Sequence, residues 1–260
     1  MANTDHWSGA LITGAASGIG RCFAEMLGSR GTPCGLIDIS AEGLNETAGR
    51  LQANGARVET RVADVSDAAA VATAIQELAA SLGNVDLVIN CAAILGPGRF
   101  ETQAASDFDR VIAINLLGTA NVVRAAIPVL RPTRGAIACL ASTAAVHGWP
   151  EMSAYSAAKF GVAGFCDAAR QELRLLGIGL TAVFPLLIDT PLLKGADQAP
   201  ILKGGRAIPP DEVVRKTLAG AAARKARVYI PGTVRLIAAF QGLIPSALDW
   251  YGARFGLKRS

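Results

Sequence analysis

Apolar residues in this chain fall into short runs separated by polar segments with helical spacing. Ala10-Leu-Ile-Thr13, Cys34-Gly-Leu-Ile37, Val58 to Val62, Val85-Asp-Leu-Val-Ile-Asn90, Ala136 to Leu140, Leu180 to Leu187 and Arg227-Val-Tyr-Ile230 have the length of strands. Arg21 to Leu27, Ser40 to Gly55, Ala68 to Leu82 and Asp211 to Ala223 read as helices, with Ser40 placed to cap a start and Gly55 lying near an end. Strands that alternate with helices imply right-handed βαβ units and a parallel sheet covered on both faces. No repeat, low-complexity tract or linker breaks the alternation. The 260 residues are 51% hydrophobic, enough to bury one large core. The pattern predicts a single α/β domain over 1–260, with its core at 9–232 and a doubly wound parallel sheet of about seven strands.

Composition narrows the classes. No apolar run approaches the roughly 18 uninterrupted residues of a spanning helix, so no transmembrane segment is expected. The start, Met-Ala-Asn-Thr-Asp-His, has neither a basic region nor an apolar stretch before a cleavage site, so a secretory signal is not expected. Cys22, Cys34, Cys91, Cys139 and Cys166 are odd in number and sit inside apolar stretches, which reads as small core residues in a reducing compartment. The expected location is cytoplasmic, with membrane-peripheral as a second reading. With only His6 and His147 and no Cys-x-x-Cys, no metal site is expected. The net charge is +4; eleven basic and three acidic residues from Lys203 onward carry +8, leaving −4 on residues 1–202. The body has no basic stripe with interleaved aromatics, so nucleic acid is not an expected partner.

The candidate chemistry begins where the first strand ends. Thr13-Gly14-Ala-Ala-Ser17-Gly18-Ile-Gly20 lies between a strand and a helix. Glycines there let a pyrophosphate approach the main chain and leave the first N–H groups of the helix aimed at its charge. The second strand ends in Asp38, about where a carboxylate meets the adenosine ribose. Such a carboxylate accepts from both ribose hydroxyls and repels a 2′-phosphate, which favours NAD over NADP. Asp64 and Asn90 follow later strands, so one ligand lying across the carboxyl ends of the sheet reaches Gly14, Asp38, Asp64 and Asn90 together.

A second cluster lies further on. In Tyr155-Ser-Ala-Ala-Lys159 the ammonium stands one helical turn from the phenol, and a neighbouring cation favours the phenolate over a free phenol of pKa about 10. Ser142, thirteen residues upstream, offers a hydroxyl for a carbonyl or alcohol oxygen. A Tyr and a Lys four apart are common on helices; the glycine-rich turn is what gives this pair weight.

Together, Thr13-Gly14-Ala-Ala-Ser-Gly18-Ile-Gly20, Asp38, Asp64-Val65, Asn90-Cys91-Ala92-Ala93, Asn115, Ser142, Tyr155-x-x-x-Lys159 and Pro185 through Thr190 resemble the ordered motif set of the short-chain dehydrogenase/reductase family, over about Gly9 to Thr190. The resemblance implies a Rossmann fold, NAD as cofactor and a small-molecule substrate. It implies Tyr155 as general acid/base, Lys159 holding the nicotinamide ribose and lowering the tyrosine pKa, Ser142 positioning the substrate oxygen, and Asn115 supporting a water-linked proton path. By the same resemblance Gly14, Ser17, Gly18, Ile19 and Gly20 cradle the pyrophosphate. Asp38 and Ile39 meet the adenosine ribose, Asp64 and Val65 hold the adenine, and Asn90, Ala92, Pro185, Ile188 and Thr190 line the nicotinamide side. Two positions depart from the family pattern: Asn90-Cys-Ala-Ala93 stands for Asn-Asn-Ala-Gly, and Pro185-Leu186 for Pro-Gly. Losing those glycines restricts the backbone and adds bulk, so a more apolar nicotinamide pocket is expected.

Substrate walls are expected from loops that follow strand ends: Ile94, Leu95, Trp149, Met152, Leu186 and Leu187, with Ser142 and Tyr155 at the reacting centre. Their apolar character predicts a lipophilic secondary alcohol or ketone, steroid-like, retinoid-like or fatty-chain. No arginine sits at a position that clearly awaits a carboxylate or phosphate, Arg99 being the one that could, and His147 reads as a surface loop histidine. Residues 191–210 resemble a substrate lid with Gly195, Gly204 and Gly205 as hinges. The apolar, basic extension 233–260 packs over the substrate mouth or meets a membrane surface in one reading, and packs on the body or another subunit in the other. The resemblance implies a homotetramer or homodimer through the helices carrying Asn115 and Tyr155. Two other functions stay open: an epimerase or dehydratase of the same fold, and a redox sensor that binds NAD(H) without turnover.

Overall fold

The computed structural model describes residues 6–194, 207–243 and 246. Its strands are β1 (Ala10–Thr13), β2 (Cys34–Asp38), β3 (Val58–Val62), β4 (Leu87–Asn90), β5 (Ala136–Leu140), β6 (Gly179–Pro185) and β7 (Arg227–Ile230). They form one parallel sheet in the order β3-β2-β1-β4-β5-β6-β7. The order reverses between β1 and β4, which opens a crevice at the carboxyl ends of these strands.

The helices are α1 (Gly18–Gly28), α2 (Ala41–Ala53), α3 (Ala68–Leu82), α4 (Ala105–Ile112), α5 (Gly118–Leu130), α6 (Ser153–Leu175), α7 (Pro191–Lys194), α8 (Pro210–Ala222) and α9 (Val234–Leu243), with a π-helical turn, Ala113–Leu117, joining α4 to α5. Side chains alternate across the strands, so each sheet face has its own core. Ile12, Leu36 and Ile89 pack with Phe23 and Leu27 of α1 and Val213 of α8. Leu11, Val88 and Ile137 pack with Ile75 of α3, Val122 of α5 and Val162 of α6. Burial on both sides is why these strands read as unbroken apolar runs.

Local chemistry explains the ends. The Ser40 hydroxyl accepts from the Gly43 N–H at 3.1 Å and so caps α2. One oxygen of the Asp67 carboxylate accepts from the Ala69 and Ala70 N–H groups at 2.9 and 3.0 Å and caps α3. The fourth strand begins at Leu87 rather than the expected Val85, because Asp86 ties off the entry to β1. Its carboxylate accepts from the Ser8 N–H at 2.9 Å, and its own N–H donates to the Gly9 carbonyl.

The continuous run Ala105–Leu130, 26 residues with a mean hydropathy of 1.5, is long and apolar enough to cross a membrane by length and composition. Here it packs against α3 and α6, and its buried positions include Asn115 and Thr119, both hydrogen-bonded within the protein.

Candidate active site

Thr13 ends β1 and the chain turns at once. Gly14 has φ +68°, and a Cβ on it would lie 2.8 Å from the Ala92 nitrogen; a Cβ on Gly20 would lie 2.1 Å from the Gly14 carbonyl oxygen. The turn is thus closed by contacts that side chains would destroy. Ser17 precedes α1 with its side chain making no cap, so its hydroxyl does not occupy the first N–H groups of that helix. Asp38 is held by two main-chain donors, the Ala16 N–H and the Ser40 N–H, each at 3.0 Å. The carboxylate at the end of β2 and the glycine-rich turn are therefore one unit. Beside them Ile39 is 67% exposed and Val62 59% exposed, an apolar patch at the crevice mouth. Asp64 accepts from the Ser66 N–H at 2.8 Å and hydroxyl at 2.7 Å, while Val65 is buried. A dinucleotide fits this lining. The turn exposes main chain free of bulky side chains, the Asp38 carboxylate stands at the neighbouring strand end, and Ile39 and Val62 offer an apolar surface beside it.

A buried hydrogen-bonded chain joins the turn to the π-helical segment. The Thr13 hydroxyl donates to Asn90 Oδ1 at 2.7 Å, and Asn90 Nδ2 donates to the Thr119 hydroxyl at 2.9 Å. Thr119 donates onward to the Asn115 carbonyl at 2.6 Å. Asn115 Nδ2 donates to the Ile94 and Val111 carbonyls, both at 2.9 Å, and its Oδ1 is buried with no hydrogen-bond partner. The Val111 carbonyl lies in α4 just before the wider turn at Ala113–Leu117, and the Ile94 carbonyl comes from the loop after β4. Thr119 escaped the sequence reading; the signal it offered was a threonine one turn beyond Asn115.

Tyr155 and Lys159 sit on successive turns of α6, both buried, with Lys159 Nζ 5.5 Å from the centre of the tyrosine ring. Ser142 follows β5, and its hydroxyl oxygen accepts from the Ala144 N–H at 3.1 Å. The electrostatics differ from the expectation that the cation lowers the tyrosine. Burial pushes the Tyr155 phenol up to about 12, and the Ser142 hydroxyl is the neighbour that pulls it back. Burial also brings the Lys159 amine down to about 8, against the opposing pull of Cys91, Cys139 and Cys166. The physical reason is that Lys159 Nζ donates to the Leu140 carbonyl at 2.8 Å rather than to the phenol, so desolvation dominates at both groups.

The expected substrate residues divide. Leu95, Met152 and Tyr155 share one small apolar cluster, with Ile94 and Trp149 packed against it. Phe108 of α4 and Leu193 of α7 join that cluster, and the sequence reading named neither. Phe108 lies on the same stripe of α4 as Val111 and Ile112, a helical spacing that was there to be read. Leu186 instead packs against the two sheet-face cores, with its N–H donating to the Ile230 carbonyl at 2.8 Å. The Leu187 carbonyl accepts from the Ile208 N–H at 2.8 Å. Neither Ala93 nor Leu186 has a positive φ, so the departures from glycine add bulk without backbone strain. Pro185 closes β6, Ile188 bridges to Ile208, and Thr190 lies against Gly18, where a Cβ would be 3.3 Å from the Thr190 Cβ. Arg99 lies on the surface and pairs with Glu101 at 2.5 Å. His147 is buried, not a surface residue, and bonds to Gln241. Within the expected lid, 195–206 lies outside the described residues, and so do its hinges Gly195, Gly204 and Gly205. Of the extension 233–260, residues 244, 245 and 247–260 lie outside them too.

A family model for the short chain dehydrogenase matches residues 8–200. The probable oxidoreductase EphD of Mycobacterium tuberculosis is 39% identical over 184 residues, 70% of this chain and 31% of that protein, so the chain spans about a third of its length. D-threitol dehydrogenase of Mycolicibacterium smegmatis is 32% identical over 212 residues, 78% of this chain and 82% of that one. The solved structure of actinorhodin polyketide ketoreductase with NADPH superposes with a TM-score of 0.79 at 28% identity, covering 90% of this chain and 99% of that one.

Proposed function

We propose, for a chain that belongs to the short-chain dehydrogenase family and is an oxidoreductase, that it moves a hydride between NAD(H) and a lipophilic secondary alcohol or its ketone. The observation that carries this reading is the position of Tyr155. It is the titratable member of an otherwise apolar cluster, with Ser142 beside it and Lys159 one turn away. An apolar wall around a single proton carrier suits a substrate whose polar part is one oxygen.

Gly14, Ser17, Gly18, Ile19 and Gly20 would hold the pyrophosphate, Asp38 and Ile39 the adenosine ribose, and Asp64 and Val65 the adenine. Asn90, Ala92, Pro185, Ile188, Thr190 and Lys159 would border the nicotinamide. Bound there, the dinucleotide supplies the hydride acceptor or donor. Ser142 holds the substrate oxygen and Tyr155 exchanges its proton at the phenolic oxygen. A phenol pushed up to about 12 is protonated at neutral pH, ready to donate as a ketone is reduced. Lys159 steadies the negative phenolate formed by that donation. Asn115, with its free Oδ1, offers an acceptor for a water on the path that returns the proton.

The preference for NAD rests on Asp38, whose fixed carboxylate repels a 2′-phosphate. Arg21, which donates to the Ala16 carbonyl of the glycine-rich turn, is committed to Glu46 at 2.9 Å and to the Thr47 hydroxyl at 3.0 Å. Exposed Leu117 and Phe160 leave apolar surface on the helices that bear Asn115 and Tyr155, which supports a homodimer or homotetramer through that face.

Tryptophan-fluorescence titration with NADH and NADPH, followed by turnover of a secondary-alcohol panel with NAD, tests the reading on wild type and Tyr155→Phe. NADH is expected to bind at least about tenfold more tightly than NADPH. The substitution is expected to cut turnover about a thousandfold while keeping NADH affinity. Equal binding by both proteins with no turnover in either would make this an NAD(H)-binding protein without catalysis.

A further inference from the structure

α9 turns Val234, Ile237, Ala238 and Gln241 to one side, the spacing of a helix face that packs. Val234 is fully buried in the core that also holds Val146, and Ile237 and Ala238 pack against it. The fourth member of the stripe is polar. Gln241 is half-buried, and its Oε1 lies 3.0 Å from Nδ1 of His147, 94 residues earlier in the chain. An amide oxygen only accepts, so in this pairing the imidazole carries its proton on Nδ1 and donates it.

His147 is 4% exposed and meets Trp149 edge-on, with ring centres 4.7 Å apart and planes at 80°. Trp149 packs in turn against the cluster of Leu95, Met152 and Tyr155. The loop that carries them, 143–152, is fastened at both ends. At one end the Ala144 N–H donates to the Ser142 hydroxyl, and at the other the Gly98 N–H donates to the Glu151 carbonyl at 2.8 Å. Between those fixings, a side-chain bond from His147 to Gln241 ties the loop to α9. A buried imidazole N–H without its acceptor would be costly, so moving α9 away moves His147 and the indole resting on it.

We propose that His147 and Gln241 are positioning residues that set the size of the substrate pocket. α9 locks His147, His147 fixes the plane of Trp149, and Trp149 limits what fits beside Tyr155. The inference rests on reading the Tyr155 cluster as the substrate site.

The test compares wild type, His147→Ala, Gln241→Ala and Gln241→Glu, which keeps an oxygen acceptor for the His147 N–H. Each is assayed with NAD and a graded series, 2-butanol, 2-octanol and a sterol-sized cyclic alcohol. A parallel set in a Trp7→Phe, Trp250→Phe background reports the emission of Trp149 alone. Both alanine substitutions should shift KM for the larger alcohols roughly tenfold. They should change kcat for 2-butanol by less than about twofold and leave NADH affinity in place. Both should move the Trp149 emission alike, and Gln241→Glu should keep emission and size preference near those of wild type. Turnover in wild type with unchanged size preference and emission in Gln241→Ala would overturn the inference and leave the oxidoreductase reading intact. So would equal losses across all substrates and NADH, or a Gln241→Glu variant that behaves like Gln241→Ala. Absence of turnover in wild type strikes the oxidoreductase reading itself, and size selection falls with it.

Discussion

Around Gly14, Asp38 and Asn90 the candidate site is built from strand ends and a turn locked by directional hydrogen bonds, whereas around Tyr155 it is built from apolar side chains gathered from distant segments. On the first side, three strand ends and one turn are tied by short, directional bonds: Ala16 to Asp38, Ser40 to Asp38, Thr13 to Asn90. On the second, Leu95, Phe108, Met152, Trp149 and Leu193 come together through contacts that have no fixed geometry. The first arrangement tolerates almost no change of backbone and suits a ligand of constant shape. The second can change volume without disturbing the fold, which suits a substrate that varies among relatives of one family.

If that contrast holds, Gly14→Ala should do the greatest harm. A methyl group there meets the Ala92 nitrogen at 2.8 Å in a backbone held at φ +68°. The expected loss is about 2–4 kcal/mol of stability and at least a hundredfold in NADH affinity. Denaturant unfolding and fluorescence titration read both. An Ala variant that binds NADH like wild type would show that the turn is not the phosphate cradle.

Phe108→Ala probes the other side. It should alter KM for large alcohols about fivefold, cost about 1–3 kcal/mol and leave NADH affinity alone. If NADH binding fell as far as substrate affinity, the two sides would be one coupled site.

The smallest effect sharpens the boundary between them, where Lys159 belongs to both. Its amine titrates near 8 in the folded chain against 10.5 when free, so below pH 8 the buried charge costs stability. Between 8 and 10.5 the unfolded chain binds more protons than the folded one. Stability therefore rises with pH across that window until the cost has gone. Lys159→Met removes the charge but leaves the Leu140 carbonyl without its donor. The melting temperature should rise by a few degrees at pH 7 relative to wild type, with the gain fading from pH 8 to 10.5. A gain that grows with pH would mean that the ammonium is stabilised, not strained, in its site. Above pH 10 the Tyr155 phenol, held up near 12, acts with the opposite sign and lowers stability as the unfolded chain ionises first.

The same division explains what the sequence by itself determined. Strand positions, the capping of α2 at Ser40, the glycine-rich turn, Asp38 after β2 and the four-residue step from Tyr155 to Lys159 all depend on neighbours within a few residues. Periodicity and turn chemistry record such neighbours directly. The tertiary structure alone decided the rest. Thr119 gained its role from Asn90, 29 residues earlier, and His147 became a buried residue because α9 brought Gln241 to it. Leu186 left the substrate wall for the cores, and the cation of Lys159 turned to a carbonyl instead of the phenol. Each of these outcomes rests on burial and on contacts between residues far apart in the chain. A linear pattern carries the identity of such residues but not the distance that makes them partners.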